Sequence, residues 1–151
     1  MNNKSGITLF EIILGIALLV VIAGLGIVSY NPAGQMAAAR NKERELALQT
    51  LLVVVRQNIS DSVGGQFMCG GSSSSIPTAP TRMSSSGFNI APCLVPAYLP
   101  VLPVDPFDRN ALYEDVGNYD TGYYISRSAT SGAITLSAPS AELGKQIKIT
   151  R

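Results

Sequence analysis

Gly6-Ile7-Thr8-Leu9-Phe10-Glu11, followed by Ile12-Ile13-Leu14-Gly15-Ile16-Ala17-Leu18-Leu19-Val20-Val21-Ile22-Ala23-Gly24-Leu25-Gly26-Ile27-Val28, is the stretch whose reading decides the architecture. Residues 12–28 carry no charged or strongly polar side chain. Taken back to Ile7, the run as a helix rises about 33 Å, close to the hydrocarbon thickness of a bilayer. A membrane-spanning helix over 7–30 is therefore expected. The competing reading is a removed signal peptide, with a basic start, a shorter apolar core and a small-residue cleavage site after it. Here the small residues Ala23, Gly24 and Gly26 lie inside the run, and Glu11 stands where such a peptide keeps uncharged residues.

Outward from this stretch the chain changes character. Its first 39 residues hold only Lys4 and Glu11 as charges, and every other Lys, Arg, Asp and Glu lies from Arg40 onward. Of 151 residues, about 110 remain to build a small head with a thin core. A net charge of +1 gives no electrostatic case for nucleic acid. Arg40, Lys42 and Arg44 alternate with Glu43 and Glu45 and read as a solvated helix face. Histidine is absent, which removes the commonest general base and metal ligand. An enzyme would have to use a Ser-Lys pair or paired carboxylates, and nothing in the sequence assembles either; no catalytic residue is expected.

A carboxylate within a spanning helix costs ~3 kcal/mol or more unless it meets a partner. The combination of a six-residue leader with Lys4, then Gly6, the run Thr8-Leu9-Phe10-Glu11 and an apolar helix resembles the processing motif of type IV prepilins and type II secretion pseudopilins. In that family a prepilin peptidase cuts after the glycine, here Gly6, and methylates the new terminal amine, here that of Ile7; members commonly have phenylalanine at this position. The resemblance implies a partner for Glu11, the terminal amine of a neighbouring subunit, so that the pair sets the axial register. Glu11 also lies one helical turn from Ile7, where it can neutralise its own chain's amine and the helix dipole. The intermolecular role is the favoured one, and both can hold at different stages.

The fold the resemblance implies is α+β and pilin-like: a long N-terminal helix, kinked near Pro32, packed on a small antiparallel sheet. The expected organisation is a leader over 1–6, a transmembrane and filament-core helix over 7–30, an amphipathic helix over 31–62, a disulfide-closed and Pro-rich loop over 63–110, and a sheet over 111–151. Ser29-Tyr30-Asn31-Pro32 is expected to interrupt or kink the helix, since proline restricts its predecessor and lacks an amide donor, and the helix to resume from about Ala33. Leu48, Leu52, Val55 and Ile59, widened by Leu51, form an apolar stripe to pack on the sheet, with Glu45, Gln49 and Arg56 opposite. Asn58-Ile59-Ser60 matches a glycosylation sequon and reads as accidental.

Cys69 and Cys93 flank a Gly-, Ser- and Pro-rich segment that has little means of ordering itself. For an exported head with an even cysteine count a disulfide is expected, and a zinc site would need more ligands. Pro92, Pro96, Pro100, Pro103 and Pro106 predict an extended surface path that resists helix. Strands are expected at 111–114, 123–127, 133–138 and 146–150, with Gly117, Gly122, Gly132 and Gly144 in the turns between them. Asp105, Asp108, Glu114, Asp115 and Asp120 carry the oxygens calcium takes, but their spacing fits no ion loop. They are expected as solvated turn carboxylates, with no cofactor and no metal, calcium being the lesser alternative.

The resemblance implies a structural filament subunit. Its partners are copies of itself, the prepilin peptidase, an assembly platform protein with its ATPase, and the membrane that holds the precursor. The precursor is expected in the cytoplasmic membrane with its C-terminus outside. Counting Lys and Arg near the span favours the opposite orientation, but the basic residues after it begin some eleven positions beyond Val28 and alternate with acids. A pseudopilin of a secretion system, or a non-polymerising anchored binding domain, are the alternatives.

Overall fold

The structure, a computed structural model, describes residues 6–29 and 31–151. All of the expected leader except Gly6 lies outside the described residues, as does Tyr30. The chain divides into two units, 1–36 and 37–151, each taken by itself below.

In the first unit α1 (Leu9–Ser29) is started by Thr8. The Thr8 hydroxyl and carbonyl both accept from the Glu11 amide, at 3.3 and 3.1 Å, and the carbonyl accepts also from Ile12 at 3.2 Å. Thr-x-x-Glu is thus a helix-start signal in its own right, with the acid in the first turn where the helix dipole favours it. Near Pro32 the chain shows an interruption rather than a kink: the first helix ends at Ser29 and a fresh one, α2 (Pro32–Asp61), opens with Pro32 as its first residue. Proline is well placed there, because that amide has no partner within a helix. Asn31 caps the new helix, its side-chain oxygen accepting from Gly34 N at 3.0 Å and its carbonyl from Gln35 N at 3.1 Å.

No helix among the described residues is long and apolar enough to cross a membrane. In α1 the described side chains run to Gly24, and residues 9–24 rise only about 24 Å, short of a bilayer core. The expected span over 7–30 is to that extent not met.

The second unit holds α2 from Ala37 onward, β1 (Met68–Cys69), β2 (Ser72–Ser73), β3 (Thr81–Ser84), α3 (Ala91–Leu94), β4 (Leu112–Tyr113), β5 (Tyr119–Arg127), β6 (Ile134–Ala138) and β7 (Ile147–Thr150). It is α+β, with a helix packed on a five-stranded antiparallel sheet of order β3-β5-β6-β7, β4 pairing with β5; this fits a pilin-like fold. β1 and β2 form a separate small ribbon. Leu48, Leu51, Leu52 and Val55 of α2 are buried against Tyr123, Ile125, Leu136 and Ile147 of the sheet, as the stripe predicted; Ile59 packs at the margin.

Three local expectations are corrected. Thr81–Ser84, inside the expected loop, is a strand because β5 supplies a partner: Thr81 pairs with Ile125 and Arg82 with Tyr124. The proline stretch contains α3, with Pro92 in its first turn where no amide donor is needed, and it is not all surface: Ile90, Ala91, Leu94 and Leu102 are buried. The Tyr119 hydroxyl, reaching over from β5, accepts from the amides of Ile90 at 2.7 Å and Ala91 at 3.1 Å and so fixes the start of α3. Gly122, expected in a turn, lies within β5 at φ 77°, and a Cβ there would stand 2.8 Å from Cβ of Asp105. The backbone of Asp105 comes close because its amide donates to Thr121 O at 2.8 Å, so only glycine leaves the room.

Cys69 and Cys93 form the expected disulfide, with Cα atoms 4.5 Å apart. It closes a loop of sequence separation 24 that contains only the β1–β2 ribbon and β3 before α3. In the chain-entropy account such a closure contributes roughly 3 to 4 kcal/mol. The Cys69→Ser/Cys93→Ser double variant is accordingly expected to lose about that much stability, read as a lowered urea midpoint against the oxidised protein.

Candidate functional site

The sequence-predicted assembly residues lie on the first unit. Gly6 and Ile7 precede α1 in non-helical backbone and are exposed, as is Glu11 in its first turn. From Leu9 to Ile22 the large apolar side chains of α1 are exposed, from Ile12 at 49% to Leu9 at 76%. The capping bond from the Glu11 amide uses its backbone only and leaves the carboxylate available. Exposure of this kind over consecutive turns, on every side of a helix, marks a surface made to be covered.

Inside the second unit the structure assembles a charge cluster that sequence reading assigned to solvent. Arg44 and Asp105 are both buried, their side chains at 0% exposure. They meet through two parallel bonds, Nε to Oδ2 at 2.8 Å and Nη2 to Oδ1 at 2.9 Å. Asp105 Oδ1 accepts as well from the amides of Phe107 and Asp108, each at 2.9 Å. Arg44 Nη1 donates to Asn41 Oδ1 at 3.0 Å and to Glu142 Oε2 at 2.9 Å. Arg40 also binds Glu142, its Nε at 2.7 Å from Oε2, and lays its guanidinium over the Phe107 ring at 4.6 Å. The buried Asn41 then closes the corner, taking Glu142 N at 2.9 Å and donating to Glu142 O at 2.8 Å.

Helix α2 is thereby tied to the 105–108 loop and to the turn at Glu142. The expected solvated face survives at Lys42, Glu43 and Glu45, with Lys42 and Glu45 paired at 3.0 Å. The Arg40 hydrogen bond, with that of Arg44, holds the Glu142 carboxyl down to about 2. Burial pushes Asp105 up, but the Arg44 bond and the two amides outweigh it and leave its pKa below the ordinary range. Tyr123 is buried near this cluster, and its hydroxyl has no hydrogen-bond partner among the described residues; burial drives its pKa upward.

The acids weighed for calcium are largely engaged. Arg82 Nε reaches both oxygens of Asp120 at 2.6 and 2.8 Å, and its Nη2 reaches Asp108 at 2.8 Å. With Asp105 that makes three of the five carboxylates held by arginine rather than solvated, a correction to the turn reading. Glu114 and Asp115 close their own turn through Asn118 and Gly117. Among the described residues no group of three or more His, Cys, Asp or Glu is placed to hold a metal ion. At the sequon, Asn58 is 5% exposed and its amide is spent on Met68, accepting from N at 2.7 Å and donating to O at 3.0 Å.

Comparison with known proteins yields no match: no family model, no curated protein and no solved structure is found similar to this chain.

The buried pair makes two expectations measurable. Removing one partner strands a charge, so Asp105→Ala should cost about 3 to 5 kcal/mol in urea unfolding, while the apolar double replacement Arg44→Met/Asp105→Leu should cost much less. Because the folded pKa values of Asp105 and Glu142 are depressed, their contribution is complete above the ordinary carboxylate value near 4.5 and is lost as pH falls toward about 2. The unfolding midpoint should stay level from neutral pH to about 5 and decline below it. Glu142→Gln should lower the plateau and shrink that decline.

Proposed function

We propose that this chain is a structural subunit of a type IV pilus-like extracellular filament, assembled through its N-terminal helix after a cut between Gly6 and Ile7. The observation that carries the reading is the exposure of every large apolar side chain of α1 from Leu9 to Ile22, with one acid, Glu11, at its head. The second unit completes its own core without them. A helix this apolar needs a covering, and the two coverings available are lipid and copies of itself. Lipid would cover these side chains in a precursor held at the cytoplasmic membrane with its head outside, which the proposal includes.

In the filament the same helices pack on one another. Burial of the order of 1,000 Å² per subunit amounts to tens of kcal/mol before ordering costs. Lipid offers much of the same stabilisation, so extraction needs external work, and the proposal includes an assembly ATPase and a platform protein as partners. Glu11 pairs with the Ile7 amine of the next subunit and sets the register, since an unpaired carboxylate in an apolar bundle is expensive. A pseudopilin of a secretion system satisfies the same features. An anchored monomer with a ligand-binding head would need neither the cut after Gly6 nor Glu11.

Mass spectrometry of assembled material is the direct test. The expected mature chain begins at a methylated Ile7, and Glu11→Ala is expected to reduce filament yield at least tenfold with the head still folded. Normal fibres from Glu11→Ala, or fibres that retain Met1, would sink the proposal.

A further inference from the structure

The ion pairs of the head occupy Arg40, Lys42, Arg44 and Arg82. Three other arginines converge elsewhere. Arg56 from the outer face of α2, Arg127 from the end of β5 and Arg151 following β7 line one open cavity of about 320 Å³, together with Ser60, Ile59 and Ile134, and no Asp or Glu lines it. None of the three forms a salt bridge among the described residues. With a net charge of only +1, the chain as a whole gives no reason for three guanidiniums to share a cavity.

One of them is held in place. Arg127 Nε donates to Gly132 O at 3.3 Å, and Gly132 lies beneath the guanidinium, where a Cβ would stand 3.5 Å from Nη2. Its φ of 69° favours glycine, and Ser128 fixes the turn by accepting Gly132 N at 2.9 Å on its carbonyl and Ser131 N at 3.2 Å on its hydroxyl. The remaining N–H groups of Arg127 have no acceptor among the described residues, and the side chains of Arg56 and Arg151 have none either. Arg56 and Arg151 are exposed and Arg127 is half-buried, so an anion entering the cavity would receive several N–H donors in fork geometry.

We propose that this cavity is an oxyanion-binding site for the phosphate or sulfate group of a ligand. Three guanidiniums match a doubly charged group better than a lone carboxylate. Ile59 and Ile134 beside them offer apolar contact to whatever carries that group. The site stands on the geometry of the head alone and is independent of the filament reading.

The test is an amide chemical-shift titration of the full chain in uncharged detergent, with inorganic phosphate, inorganic sulfate and phenyl phosphate, each against chloride at equal ionic strength. Saturable shifts at Ser131 and Gly132 are expected. The affinity should fall at least tenfold in Arg56→Gln/Arg127→Gln and stay unchanged in Lys148→Gln, a cation on the same sheet outside the cavity. Tighter binding of phenyl phosphate than of the free ions assigns the site to an esterified ligand, and equal binding assigns it to the free ion. The double variant breaks no ion pair and only the long Arg127–Gly132 bond, so its thermal midpoint should change little, and a retained midpoint separates lost binding from a folding defect. Shifts that grow linearly without saturation, or equal affinity in the double arginine variant, would overturn the proposal.

Discussion

A guanidinium without access to water must be neutralised and hydrogen-bonded where it stands, and Arg44 imposes that requirement on two distant parts of the chain. Its partners Asp105 and Glu142 lie 61 and 98 residues further on. Once α2 is packed with Arg44 facing inward, the 105–108 loop has to come to it. The amides of Phe107 and Asp108 then turn toward the same carboxylate. The approach of Asp105 in turn brings its backbone onto Thr121 and forces glycine at position 122 of the central strand. An ion pair of this kind adds little net stability over apolar packing, but it penalises every arrangement in which it is broken. Its effect is to select one placement of helix, loop and sheet.

The two units meet opposite demands. The head encloses its apolar side chains and satisfies nearly every buried polar group, with a disulfide closing the loop from Cys69 to Cys93. Helix α1 does the reverse, presenting apolar side chains in all directions and concentrating its one charge at its start. The apolar surface of α1 is thus kept apart from the core that holds the head folded. In the proposed filament that separation would let the helix exchange one apolar surrounding for another while the head stays folded.

Much of this was legible beforehand because it depends on local pattern. The apolar run and Glu11 were visible as composition, the α2 stripe as periodicity, and four strands as alternation bounded by turn residues. The cysteine pairing followed from count and context. The Arg44 cluster was missed although a signal existed: carried back from Leu48, the stripe that includes Leu51 and Val55 passes through Arg44 and Asn41, which alternation of charge along the sequence disguised as a solvated face. Nothing in the sequence marked Thr81–Ser84 as a strand, because its pairing is owed to β5 some forty residues away. The gathering of Arg56, Arg127 and Arg151 was likewise invisible in a near-neutral chain.

The sequence by itself determined what is short-ranged: where helices start, at Thr8 and at Asn31-Pro32, which face of α2 is apolar, and that the first 39 residues differ in kind from the rest. Side-chain oxygens and proline act on amides two or three residues away, so these outcomes need no other part of the molecule. Tertiary structure alone decided which charges lose their water. Arg40, Arg44, Arg56 and Arg82 are the same residue type, yet one is entombed, two are half-covered by carboxylates and one is left without an acid beside it. The free energy of a charge is set by the dielectric and the partners around it, and those arrive from segments tens of residues distant.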